Sequence, residues 1–139
     1  MKGNQVKVDK GSAILEFSIF FLLAMFVLTL MLGVLPVFTQ YQKLGYIAHE
    51  VLRDAELVGN TGNTVIDAYK DIQTITGLEP KDISFDGTQY IGGTKNVQIN
   101  DPIQVTVKSD FVWFSSFIGG GFNIELVATA SGRSGVYYK

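Results

Sequence analysis

The sequence predicts an α+β protein: one long N-terminal helix, transmembrane and then amphipathic, followed by a short helix and a small antiparallel β-sheet packed on it. Three observations carry this. The run Gly11–Gln42 holds a lone charged residue, Glu16, and charge does not return until Lys43. From Tyr41 to Val58 apolar residues recur at every third or fourth position, the spacing of one helix face. After Pro80 the pattern changes to the alternation of half-buried strands.

The N-terminal elements follow in order. Met1–Lys10 is polar, with Lys2, Lys7 and Lys10 against Asp9. The uncharged run that follows, at ~1.5 Å per residue, is long enough to cross a hydrocarbon core of ~30 Å as a helix. A secretory signal core is shorter, ~7–15 residues, and ends in a small-x-small cleavage site. The residues after this run, Pro36-Val-Phe-Thr-Gln-Tyr-Gln, offer no such site, so the span is expected to be retained. Gly33 and Pro36 lie within it, and the ring of Pro36 conflicts with the carbonyl of Leu32, which predicts a kink or a locally melted turn. Lysines before the span and mixed charge after it put the N-terminus in the cytoplasm and the C-terminal part outside a cytoplasmic or inner membrane.

Beyond the span, Tyr41, Leu44, Ile47, Ala48, Val51, Ala55 and Val58 form an apolar stripe, while His49, Glu50, Arg53 and Asp54 fill the opposite face. Gly59-Asn-Thr-Gly-Asn stops the helix. A second helix is expected over Thr64–Thr76, with Val65, Ala68, Tyr69, Ile72 and Ile75 as its stripe, Asn63 as its cap and Gly77 as its end. Strand patterns follow at Ile83/Phe85, Val97/Ile99, Ile103–Val107 and Ile124–Ala130, giving three or four antiparallel strands with one wet face. Between the last two lies Phe111-Val-Trp-Phe-Ser-Ser-Phe-Ile-Gly-Gly-Gly. We read it as core covering, against the alternative of a patch touching membrane or a neighbouring subunit. The chain divides into residues 1–11, a leader; 12–42, the span; and 43–139, an extracytoplasmic domain that includes the amphipathic helix.

Composition excludes several classes. The net charge of −2 is too weak to imply nucleic acid. Cysteine is absent, so there is no disulfide framework and no thiolate metal site. His49 is the only histidine and sits on the polar face of a helix. Gly119–Gly121 lacks the Lys-Ser/Thr ending of a phosphate loop, and Gly92-Gly93 reads as a turn. Asp67, Asp71, Asp82, Asp86 and Asp101 are scattered in sequence. Neither an enzyme nor a cofactor is expected.

The order at the N-terminus is basic leader, Gly11, four residues, Glu16, Phe17, then an apolar run. It resembles the processing site of type IV prepilins. The wording Ser12-Ala-Ile-Leu-Glu-Phe, with the later Tyr41-Gln-Lys-Leu-Gly-Tyr-Ile-Ala-His-Glu-Val-Leu-Arg-Asp-Ala, is most similar to the TadE-like proteins of tight-adherence (Flp-type) pili, single-span minor pilins or pseudopilins. The likeness covers the first ~60 residues and, more loosely, the end of the chain, where two strands flank an apolar loop. It implies cleavage between Gly11 and Ser12 by a prepilin peptidase. It also implies that Glu16, fifth in the mature chain and followed by Phe17, pairs with the amine of Ser12 on a neighbouring subunit. The partners implied are the lipid bilayer, prepilin peptidase, other pilin or pseudopilin subunits and the assembly platform. The helix of such subunits often melts near a site like Gly33–Pro36 on assembly. The chain's length suits a minor subunit better than a major one. The alternative from another class is an unprocessed, single-pass, membrane-anchored binding module.

Overall fold

The computed structural model describes residues 10–113 and 121–139, with side chains from Ser12 onward. The leader residues 1–9 and residues 114–120 of the apolar loop lie outside the described residues. The elements are α1 (Lys10–Val58), α2 (Asn63–Thr76), β1 (Asp82–Ser84), β2 (Pro102–Trp113) and β3 (Phe122–Arg133). The chain forms two compact units, Met1–Pro36 and Val37–Lys139.

In the first unit α1 is long and apolar enough to cross a membrane, and none of its most apolar stretch is buried by protein. Leucine and methionine lose little rotamer freedom in a helix, which suits the segment to this conformation. Two of its hydroxyls are satisfied within the helix: Ser18 Oγ donates to the Ile14 carbonyl and Thr29 Oγ1 to the Met25 carbonyl, each at 2.8 Å. Such back-bonding lets polar side chains sit in hydrocarbon without orphaned donors. The chain is helical through Gly33 and Pro36.

The second unit has its own core. Leu44, Ile47, Ala48, Val51, Leu52 and Ala55 of α1 are buried against Val65 and Ile72 of α2, Val97 of the segment before β2, Ile103, Val105 and Val107 of β2, and Ala128 and Ala130 of β3. The expected stripe holds in its centre, and Leu52 joins it, widening it to the i, i+3, i+4, i+7, i+8 face of a globular helix. Its two ends, Tyr41 and Val58, are exposed.

At the end of α1 the main chain needs partners, because the last carbonyls of a helix have none within it. Gly59, at φ +63°, donates its N–H to the Ala55 carbonyl at 2.8 Å. The N–H of Gly135 reaches the Glu56 carbonyl, the hydroxyl of Tyr138 reaches Val58 O, and the N–H of Val97 reaches Gly59 O, at 3.0, 3.0 and 2.8 Å. A Cβ on Gly59 would stand 2.6 Å from the Val136 Cβ, so residue 59 is small both for its backbone angle and for this packing.

The helix α2 differs from expectation in two details. Its N-cap is Gly62, which makes no side-chain cap bond, and Asn63 is already helical. The polar group at this end is instead Asn60, whose Oδ1 accepts the Gly62 N–H and whose amide reaches Asn96. Ile75, assigned to the stripe by its spacing, is 79% exposed, because α2 turns that position away from α1 and the sheet. Gly77 closes the helix in the left-handed conformation, as its position predicts.

Among the described residues the sheet has three strands in the order β1-β2-β3, all antiparallel. Its main ladder pairs Pro102 with Arg133 through Trp113 with Phe122, and β1 adds Asp82 opposite Lys108. Burial alternates along β2, with Ile103, Val105, Val107 and Ser109 inward. On the outer face Thr106 and Thr129 are cross-strand neighbours, their hydroxyls 3.3 Å apart. Val97–Ile99 is not a strand. Glycines at positive φ (92 and 93) precede it and Asn100, at φ +70°, turns the chain after it, leaving an isolated bridge between Asn60 and Asn96. Val97 is nevertheless fully buried. The segment expected as an apolar loop begins later than expected, since Phe111, Val112 and Trp113 complete β2.

Candidate functional site

Two regions can carry function, one in each unit. The first is the start of α1. The Gly11–Ser12 bond lies in the helix's first turn, where the N–H groups have no intrahelical acceptors. Ser12 and Glu16 are four residues apart, on adjacent turns of one face, and both are exposed. Phe17, the next residue, stacks on Phe21 with ring centroids 6.4 Å apart. A carboxylate at the edge of an uncharged helix is costly in hydrocarbon unless it reaches the interface or finds a cation. Gly33 and Pro36 stand more than four turns further along α1, so the structure groups Ser12, Glu16 and Phe17 and leaves the pair Gly33/Pro36 apart.

The second region is a cleft of about 540 Å³ between α2 and the β1 edge of the sheet. Its floor is Val51 and Val65, its walls carry Tyr69, Phe85 and Tyr90, and Lys81, Asp82, Asp86 and Lys95 stand around it. Tyr90 is fixed by a 3.0 Å hydrogen bond with the Thr61 hydroxyl. Partial burial raises the phenol of Tyr69 above the usual tyrosine range, with Glu79 adding to it, so Tyr69 stays neutral and able to donate a hydrogen bond. Lys81 is drawn by its hydrogen bond to Asp110, at 2.7 Å, and by that carboxylate's charge, which together raise its pKa.

The sequence singles out none of the three aromatic walls as a group, because they come from α2 and from the loop that follows β1. Of the scattered acids, Asp82 and Asp86 meet at the cleft, whereas Asp67 is engaged with Lys70 at 2.9 Å and Asp71 and Asp101 stand elsewhere. Among the described residues no three of His, Asp and Glu gather as a metal-binding set.

No curated protein and no solved structure matches this chain. A family described as "Domain of unknown function (DUF4320)" matches residues 21–139. The match begins inside the apolar half of α1, so Gly11, Ser12, Glu16 and Phe17 precede it, while the rest of the span and the whole of the second unit fall within it. The chain, whose described residues form a long helix, apolar in its first half, and a small α+β unit, is a member of the DUF4320 family.

Proposed function

We propose that this protein is a pilin-like structural subunit of the TadE-like kind, cleaved between Gly11 and Ser12 by a prepilin peptidase and taking part in assembly of a type IV or tight-adherence pilus or a related secretion apparatus. One observation carries the reading: Ser12 and Glu16 lie a turn apart at the mouth of an exposed apolar helix whose later turns form the core of a small α+β unit. A subunit drawn from a bilayer into a filament exchanges lipid for the apolar helices of its neighbours, so its first half must be apolar all round. In the filament the new amine of Ser12 gives the Glu16 carboxylate of an adjacent subunit a charge-assisted partner, offsetting the cost of leaving it dry. The leader lysines keep the N-terminus cytoplasmic and the second unit outside.

The cleft favours the second reading, an unprocessed anchored module that binds a ligand through Tyr69, Phe85 and Tyr90. Intact-mass measurement of the protein from cells with and without a prepilin peptidase separates the two. The subunit reading expects loss of Met1–Gly11 only where the peptidase is present, blocked by Gly11→Leu. A full-length mass in cells with active peptidase establishes the anchor instead.

A further inference from the structure

The two ends of the unit Val37–Lys139 are chemically unlike, and hydrogen bonds fix which strand end belongs to which. At the Val58 end of α1, the Glu56 carboxylate accepts the Arg133 N–H at 2.9 Å, which places the Pro102/Arg133 end of the main ladder there. The Gln89 N–H on Pro102 O at 3.1 Å and the Tyr90–Thr61 bond mark the same end. At the other end, Lys43 Nζ donates to the carbonyl of Thr76, the last residue of α2, at 3.0 Å. A short link then carries the chain to Lys81, whose N–H bonds Lys108 O at 2.8 Å. The strand β2 therefore runs from the Val58 end of α1 toward the Val37 end.

The lengths agree. The buried positions of α1, Leu44 to Ala55, span about 17 Å at helical rise, and those of β2, Ile103 to Ser109, about 20 Å at strand rise. Both then run on past the core. On β2 and β3 the continuation is Phe111, Val112 and Trp113 facing Phe122, with Val112 50% and Phe122 64% exposed. On α1 it is Tyr41 and Phe38, 51% and 57% exposed. One end of the unit thus carries aromatic side chains from both elements, and it is the end at which the chain arrives from the apolar run.

We infer that this end is a second membrane contact: the distal β2–β3 residues Val112, Trp113 and Phe122, together with Tyr41 and Phe38, seat the extracytoplasmic unit in the interfacial layer of the bilayer. Tryptophan and tyrosine partition to that layer, where an apolar ring can be buried while its polar atom stays hydrated. Val37, the first residue of the unit, belongs to this end and follows Pro36 directly, so the end is the part of the unit tied most closely in sequence to the apolar run. The occupant is lipid tail and glycerol rather than anionic headgroup. The charges at this end are mixed, and among the described residues its cations are engaged within the protein: Lys43 donates to the Thr76 carbonyl, Lys81 pairs with Asp110, Lys108 stands opposite Asp82, and Glu125 lies across the ladder from Asp110. The inference rests on the span alone, and it holds whether or not residues 1–11 are removed.

Trp113 is the only tryptophan, so its emission reports on this end without labelling. The full chain is reconstituted in phosphatidylcholine vesicles with bromine on the acyl chains, and Trp113 is tested in parallel for quenching by acrylamide from the water. We expect strong quenching by the brominated lipid, weak quenching by acrylamide, and no change when anionic lipid is added. The double variant Val112→Asp/Phe122→Asp, with its far-UV spectrum checked, should reverse the preference. Acrylamide quenching without lipid quenching means that the end faces water and overturns the proposal. Protection from both quenchers means that protein covers it, through the loop or a second copy, and overturns it as well. Lipid quenching that persists in the double variant does the same. The processing reading is read from mass alone, so an intact leader with a lipid-quenched Trp113 separates the two.

Discussion

Replacing Gly59 by alanine tests the account of how α1 ends. Two costs add at this residue. A side chain at φ +63° strains the backbone by about 1–2 kcal/mol. The new methyl also meets Val136 Cβ at 2.6 Å, Val136 Cγ2 at 3.0 Å and Tyr138 Cε2 at 3.1 Å. The nearest of these atoms is fixed to the backbone and cannot rotate aside, so overpacking adds about 1–3 kcal/mol. The expected loss is about 2–5 kcal/mol, a large part of the 5–15 kcal/mol typical of a domain. At about 4–8 °C per kcal/mol for a unit of this size, the midpoint falls visibly in a thermal scan. Urea unfolding of the full chain in mild detergent, followed by far-UV signal and Trp113 emission, measures it. Val136→Gly removes the atom that is struck, so the double variant should lose less than the sum of the singles. Gly59→Asn should recover only the backbone part, since asparagine tolerates the left-handed region but keeps a Cβ. A Gly59→Ala protein as stable as the parent, or strict additivity with Val136→Gly, would refute the close contact between residue 59 and the C-terminal segment.

Further outcomes follow from burial and charge. Ile47→Ala, at a fully buried position, should cost about 2–5 kcal/mol, whereas Ile75→Ala, on an exposed one, should change stability by no more than about 0.5 kcal/mol; the same urea titration compares them. Lys81 has its pKa raised above 10.5 by Asp110, so the pair's contribution is fully present below that value and is lost as pH rises through the raised one. The stability difference between the parent and Asp110→Asn should therefore be constant from neutral pH to about 10 and shrink above it; a difference growing with alkalinity contradicts the assignment. Glu16→Ala should leave membrane insertion intact, because the span becomes more apolar, while impairing incorporation into a pilus or its initiating complex. Normal assembly of that variant would reduce Glu16 to a tolerated interfacial acid.

Elements whose burial follows their own periodicity were legible in the chain. The α1 stripe from Leu44 to Ala55, the alternation of Ile103, Val105 and Val107, and the glycine stops at 59 and 77 could be read directly, since each is set by local spacing or by a single backbone angle. Features set by distant residues were not. Asn63 has the right chemistry for a cap, but Asn60 is held by Asn96 and takes the Gly62 N–H itself. Ile75 has the right spacing, yet α2 ends beside Lys43 with that position turned to solvent. Val97 and Ile99 alternate as a strand would, while the N–H of Val97 is already committed to the Gly59 carbonyl. For the candidate sites the division is similar: Ser12, Glu16 and Phe17 are neighbours in sequence and so were visible, whereas Tyr69, Phe85 and Tyr90 meet only through the fold.

The hydrogen bonds that finish α1 join residues far apart in the order of synthesis. Glu56 and Val58 have their carbonyls satisfied by Gly135 and Tyr138, so the end of α1 is completed by residues made some 80 positions later. During that interval the hydroxyls of Ser18 and Thr29 in the apolar half of α1 already have their partners within the helix, so that half, if inserted as proposed, needs no later residue for them. On the proposed reading, anchoring would come before folding. If the span is inserted as proposed, the segment with Leu44, Ile47 and Val51 is held beside the bilayer before β2 and β3 are made to close over it. A small sheet whose strands pair across a loop gains from this, because the helix it must find is held in place.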